Sequence, residues 1–168
     1  MPSQGSLKGF TASVALSPST TVYTKGDIVG GKITIPNVID NDYGSVKLVS
    51  AVLLDTSTTT PVPYKLFLWG RDMTGSGTGV GTVWTDNSAF DPYDSDLATI
   101  GAIVSFSTGN VQQLADNQVY YAADINQDIN VNTSARALYG ALIAASTGGS
   151  AFSSSQALTL NLDIERIE

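Results

Sequence analysis

Leu158-Thr159-Leu160-Asn161-Leu162-Asp163-Ile164 decides the fold class. Leucine or isoleucine fills every even position of the stretch, and Thr159, Asn161 and Asp163 fill the odd ones. A period of two sends the two sets to opposite faces of an extended chain, so the stretch predicts a strand with one face in a core and one toward solvent. The same alternation stands near the other end of the chain, where Phe10, Ala12, Val14 and Leu16 alternate with Thr11, Ser13 and Ala15. Between these two lie Ile28–Ile35, closed by Pro36, then Val46–Leu54, Tyr64–Trp69, Gly101–Ser107, Val119–Ala123, Ile125–Val131 and Arg136–Ala145. Turn formers separate them, among them Ser17-Pro18-Ser19, Asp40-Asn41-Asp42-Tyr43-Gly44 and the stretch holding Pro61 and Pro63. Short strands at this spacing predict an all-β protein, an antiparallel β-sandwich or jelly roll of about eight strands. A single helical turn is expected within Asp86–Ile100, capped by Asp94 or Ser95. Residues 1–9 are small and polar and predict an extended N-terminal arm, leaving 10–168 as one β-sandwich domain.

Composition supports the same class. Both glutamates, Glu165 and Glu168, fall in the last four residues, while serine and threonine fill about a fifth of the chain. Surface helices are built from Glu, Lys, Arg and Gln, which are scarce here. There is no cysteine and no histidine, so thiol chemistry, the usual zinc sites and a Ser-His-Asp triad have no residues to build them. The expectation is a protein that is not an enzyme and holds no metal or cofactor. The net charge is −7 and the eight basic residues are scattered singly, which argues against nucleic acid as a partner. No apolar run approaches the roughly 20 residues that span a bilayer, so no membrane partner is expected. The opening Met1-Pro2-Ser3-Gln4-Gly5-Ser6-Leu7-Lys8 lacks a basic and then apolar leader pattern, so synthesis in the cytoplasm without secretory export is expected. Only 14% of residues are charged against 42% hydrophobic. Interfaces are depleted of charge, so this balance points to a chain held against neighbours.

Three patterns carry possible chemistry. Gly26-Asp27-Ile28-Val29-Gly30-Gly31-Lys32 has the spacing of a phosphate-binding loop, but Ile33 follows where Ser or Thr would hold magnesium, and Ile33-Thr34-Ile35-Pro36 is a strand pattern. A strand with a glycine bulge accounts for it. The alternate glycines Gly75, Gly77, Gly79 and Gly81 never complete a dinucleotide fingerprint, because Val80 and Thr82 stand at the third-glycine positions. They predict a flexible loop. Asp86, Asp91, Asp94 and Asp96 cluster without calcium-loop spacing, and turn or cap duty is expected of them. Beside Tyr43, Trp69, Trp84, Phe90 and Tyr93 they leave a sugar-stacking platform open, which exposed rings would favour and buried rings weaken.

Four segments resemble small virion proteins of tailed bacteriophages: Thr21–Gly31; Val46–Asp55 leading into Tyr64–Trp69; Thr85–Asp91 with Asp94–Leu97; and Leu138–Ile143 with the closing Leu158–Ile164 strand. Within that group the chain is similar to capsid decoration, or cement, proteins. The resemblance implies a jelly roll or sandwich, a homotrimer at local three-fold positions, and a place on the virion's capsid surface, where it binds the major capsid protein and stabilises contacts between its subunits. It carries no catalytic residue. Laid along a shell, the arm would be anchored by Leu7, Lys8 and Phe10, the candidate partner contacts. A head-fibre base, a tail accessory protein and a carbohydrate- or receptor-binding module remain alternatives.

Overall fold

The computed structural model describes residues 8–40, 43–57, 61–73, 84–115, 117–132, 136–146, 152 and 158–167. Along the chain run β1 (Lys8–Leu16), β2 (Ile28–Ile35), β3 (Tyr43–Asp55), β4 (Tyr64–Trp69), a single helical turn α1 (Asp94–Leu97), β5 (Ala102–Phe106), β6 (Val111–Leu114), β7 (Asn117–Ala122), β8 (Gln127–Asn132), β9 (Leu138–Ala144) and β10 (Leu158–Ile167). One sheet has the order β1-β10-β3-β7-β6, with β8 also on β3; the other has the order β2-β9-β4-β5. Every pairing is antiparallel. The early strands pair with the late ones in reverse: β1 with β10, β2 with β9, β3 with β7 and β8, β4 with β5. That is a long antiparallel ribbon folded over on itself, the order of a jelly roll. The all-β antiparallel class expected from the alternation holds.

The opening stretch behaves as its pattern dictates. Leu158, Leu160, Leu162 and Ile164 are buried and point between the sheets, while Asp163 is exposed. They meet Leu53, Leu66, Val104 and Tyr120 in the main core. Tyr120 sits edge-on to Tyr64 and Phe106, with ring centres 5.5 and 6.4 Å apart, an arrangement aromatic rings favour.

Two bulges shape the sandwich. On β3 the register with β10 passes from Asp163↔Ser50 to Ile164↔Leu48, which leaves Val49 without a partner on β10. Inward-facing residues therefore change parity, from Val46 and Leu48 to Ala51 and Leu53. The Val49 carbonyl accepts the Ile125 N–H at 3.0 Å. Ile125 lies where the chain steps from β7 to β8 through Asp124 and Asn126, both with left-handed φ (53° and 47°), a conformation Asp and Asn tolerate better than most residues. On β2 the second bulge falls at Gly30-Gly31, both at φ 78°. A Cβ on Gly30 would stand 2.8 Å from the Leu16 Cβ, so glycine is required by both conformation and space. The phosphate-loop spacing is thus strand and bulge, as its sequence context predicts.

Three details depart from expectation. β1 begins at Lys8, two residues inside the expected arm. The helical turn is capped at Tyr93, with no side-chain cap bond, rather than at Asp94 or Ser95. β6 is an added hairpin arm whose Val-Gln-Gln-Leu sequence carries no alternation. The glycines at 75–81 lie outside the described residues.

Leu160 is fully buried in a strand paired on both sides. Leu160→Ala should lower unfolding free energy by about 2–5 kcal/mol. Thr159→Ala, on the opposite face, should stay within about 0.5 kcal/mol of wild type. Urea unfolding followed by tryptophan fluorescence checks both.

Candidate functional site

β4 points Phe67 and Trp69 away from the main core, yet Trp69 has no exposed surface. The reason is the described second part of the connection from β4 to β5, residues 84–90, which lies over the outer face of the four-stranded sheet. There Ile28, Ala141 and Ile143 form a second apolar cluster with Phe67, Trp84 and Phe90. Ring centres lie 5.1 Å apart for Phe67–Phe90, 5.9 Å for Trp69–Trp84 and 6.0 Å for Trp69–Phe90. Each indole N–H is satisfied by a backbone carbonyl: Trp69 donates to Asp96 at 3.0 Å and Trp84 to Met73 at 3.1 Å. Lys32 lies over the Tyr139 ring at 4.8 Å and pairs with Asp72 at 2.5 Å.

Asp86 fastens this connection. Its carboxylate accepts the Ser19 N–H and the Tyr23 hydroxyl, both at 2.6 Å, and the Gly30 N–H at 2.5 Å. The β1–β2 turn, the β2 bulge and the β4–β5 connection thus meet on one side chain. Burial and the Asp86 bond raise the Tyr23 pKa well above the ordinary phenol value. Backbone bonds continue the seam: Ile28 N–H to Ser88 O and Asn87 N–H to Ile28 O, both 2.8 Å, and Phe90 N–H to Gly26 O, 2.8 Å. Residues 87–90 therefore cover the outer edge of β2 at its start.

The remaining carboxylates do not converge. Asp96 is buried against Arg71, 3.0 Å from its guanidinium. Asp91 and Asp94 are exposed, and Asp40 pairs with Arg166 at 2.9 Å. Among the described residues no three acidic groups gather as metal ligands would. Tyr93 is half-buried, with a buried hydroxyl that has no hydrogen-bond partner among the described residues, and the Tyr43 side chain lies outside the described residues. Of the rings of the suspected sugar platform, Trp69, Trp84 and Phe90 thus pack on one another, Trp69 buried and the other two half-buried. A groove of 390 Å³ beside α1 is lined by Gly70, Arg71, Thr99, Asp128 and Asn130 among others. Arg71 is already engaged there by Asp96 and Thr99.

Of the expected arm contacts, Leu7 lies outside the described residues. Lys8 is exposed at the start of β1, opposite Arg166. Phe10 is half-buried against the main core, with the Arg166 guanidinium 5.2 Å from its ring. Lys8 and Phe10 are brought to one strand end, on the same face of β1.

The outer face of the six-stranded sheet was not singled out from sequence. Cross-strand register places Ser13, Asn161, Val52 and Tyr121 in one outward row, and Ala15, Thr159, Leu54, Val119 and Gln112 in the next. Neither row holds a charged residue. Tyr121 is 51% exposed, and Leu114 at its margin 59%. Charge returns one row away at Asp163, whose carboxylate accepts the Ser50 and Thr11 hydroxyls at 2.6 and 2.7 Å. Those bonds lower its pKa. Alternation gives the outward set of each strand, but only the register aligns the sets of five strands.

Two measurements test these placements. Asp86→Ala removes the acceptor for two part-buried backbone donors and a tyrosine, and should cost on the order of 3 kcal/mol, since hydrogen bonds to a charged group contribute ~1.5–3 kcal/mol each and overlap when shared. Tyr23→Phe should cost less, as urea unfolding would show. Asp55, at the end of β3, is 1% exposed and accepts the Ser57 N–H and hydroxyl. Burial raises its pKa, and the Ser57 bonds offset part of the rise. A carboxyl whose folded pKa is raised favours folding while protonated, so this stability is present in acid and lost as pH rises from 3.8 through the folded value. Asp55→Asn keeps an acceptor for Ser57 without the buried charge. It should raise stability at pH 8 and flatten this part of the pH profile, measured by thermal unfolding.

No described helix is long and apolar enough to cross a membrane. No family model matches the sequence, and no curated protein matches it. Among solved structures the chain is similar to a chain from the X-ray structure of tomato aspermy virus, at 14% identity and a TM-score of 0.41, over 100% of this chain and 81% of that one. A likeness at that level carries no argument about function.

Proposed function

We propose that this chain is a non-enzymatic structural protein of a virion: a decoration or cement protein on the outside of a bacteriophage head that stabilises contacts between major capsid protein subunits, acting as a homotrimer. The observation that carries this is the disposition of its polar and aromatic chemistry. Asp86, Asp96, Trp69, Trp84 and Arg71 are engaged within the chain, holding one connection over one sheet. What faces outward instead is a sheet surface with two uncharged rows, a surface suited to another protein. Jelly rolls recur in viral capsid and lectin domains. The packed rings favour the first over a carbohydrate-binding module. The acidic balance, −7, favours a protein partner over nucleic acid. A head-fibre base or tail accessory role would use the same surfaces.

A cement protein bridges several subunits, so weak contacts add through avidity. A preceding arm extends that footprint, with Leu7 and Lys8 as its nearest anchors and Phe10 fixing its root in the core. Because β1 begins at Lys8, the informative deletion is residues 1–7, which leaves the β1–β10 ladder whole. Purified protein mixed with undecorated heads should bind saturably and raise the temperature at which heads release DNA. The 1–7 deletion should lower occupancy at least tenfold with an unchanged melting temperature. No binding to heads by the full chain would sink the decoration role, and undiminished occupancy by the deletion would sink the arm's part in it.

A further inference from the structure

The sheet edges of this protein are treated unequally. β2 is covered at its start by residues 87–90 and broken by the Gly30-Gly31 bulge. β5 has five residues and β6 has four. β1 is different: all nine residues pair with β10 in unbroken register, and among the described residues no strand pairs with its other edge. Natural edge strands are blunted by charges, prolines, bulges or shortness. β1 has no proline and no bulge, and Lys8 is its sole charge. Its outward residues Gly9, Thr11, Ser13 and Ala15 are small and exposed, while Phe10, Ala12 and Val14 are only half-buried on the core side.

We propose that the β1 edge is an interface between two copies of this chain, joined antiparallel about a two-fold axis at Ala12. An open strand edge fixes the chemistry of its occupant, which must be another extended backbone. Charge and symmetry make that occupant a second copy. Each chain carries −7, so like copies repel except where acidic groups are absent, and β1 has none. Centring the axis on Ala12 pairs all nine residues. Phe10 then meets Val14 of the second copy, Thr11 meets Ser13, Gly9 meets Ala15, and Lys8 meets Leu16 rather than another lysine. The half-buried Phe10, Ala12 and Val14 become covered, and the two uncharged outer rows, which begin at Ser13 and Ala15, meet the small Thr11 and Gly9 of the second copy, with its Asp163 and Glu165 set one strand further back. Such a contact is isologous and closes on itself, which an edge exposed to indefinite pairing does not. It rests on the fold and not on the decoration role.

Sedimentation of the full chain across a concentration series, with two sets of variants, tests it. Wild type should show an even-numbered assembly: a dimer, or a hexamer in which two of the proposed trimers join through β1. Thr11→Lys with Ser13→Lys sets lysines directly opposite one another and should raise the dissociation constant at least tenfold with an unchanged circular dichroism spectrum. The native chain has no cysteine, so Ala12→Cys reports register directly: on the axis its thiol meets its own copy within disulfide range and should cross-link under mild oxidation. Ala15→Cys faces Gly9 of the second copy and should not cross-link. A wild type that stays monomeric at all concentrations, a trimer indifferent to the lysine pair, or equal cross-linking of the two cysteine variants would overturn the proposal.

Discussion

The thirteen residues of β3 carry the six-stranded sheet. One edge takes β10 along its length; the other takes β8 over its first half and β7 over its second. A strand that long, with flat pleating, would twist away from the facing sheet. The extra residue at Val49 resolves this by resetting which side chains point inward and by increasing the local bend. Its carbonyl, freed from the ladder, is returned to use by Ile125, so the same residue that bends β3 also ends β7 and begins β8. Buried backbone groups must find partners, and this pairing is how two irregularities on neighbouring strands satisfy each other.

The four-stranded sheet faces a different constraint. Its outer face is apolar enough, at Phe67, Trp69 and Ile143, that solvent exposure would be costly, with large rings contributing most. The chain covers it with its own β4–β5 connection. A loop docked by ring contacts alone could slide, because such contacts are weakly directional. Asp86 supplies direction: three donors from two other parts of the chain converge on two oxygens. The aromatic and acidic residues most suggestive of ligand binding are therefore explained by packing and fastening.

How far this was legible in the sequence depends on the range of each interaction. Leu158–Ile164 and Phe10–Leu16 announce their faces by nearest-neighbour alternation, because period two is a local property of an extended chain. The Gly30-Gly31 bulge is legible for the same reason. β6 is not, since Val111 and Leu114 enclose two glutamines and only its partner β7 makes it a strand. The role of Asp86 is illegible: its partners lie 67, 63 and 56 residues away, and an aspartate in Thr-Asp-Asn-Ser looks like any turn former. Trp69 continues the alternation outward, and only the covering loop buries it. The uncharged rows require the register of five strands at once, which no single segment contains.

Low charge density has a consequence that follows from where the charges stand. Arg166, Asp40, Arg71, Asp96, Lys32 and Asp72 form ion pairs; Lys47, Asp128 and Glu165 share neighbouring cross-strand positions at the far end of the six-stranded sheet. Among the described residues charge is thus concentrated at one end of that sheet's outer face and absent from the other. Surface charge keeps monomers apart and blunts sheet edges. A chain that withholds it from both a long edge and the adjoining face gives up that protection where the two adjoin. A free monomer gains nothing from such an arrangement and incurs an aggregation risk. An assembled one gains a dry, self-compatible contact whose specificity comes from backbone register rather than from paired charges.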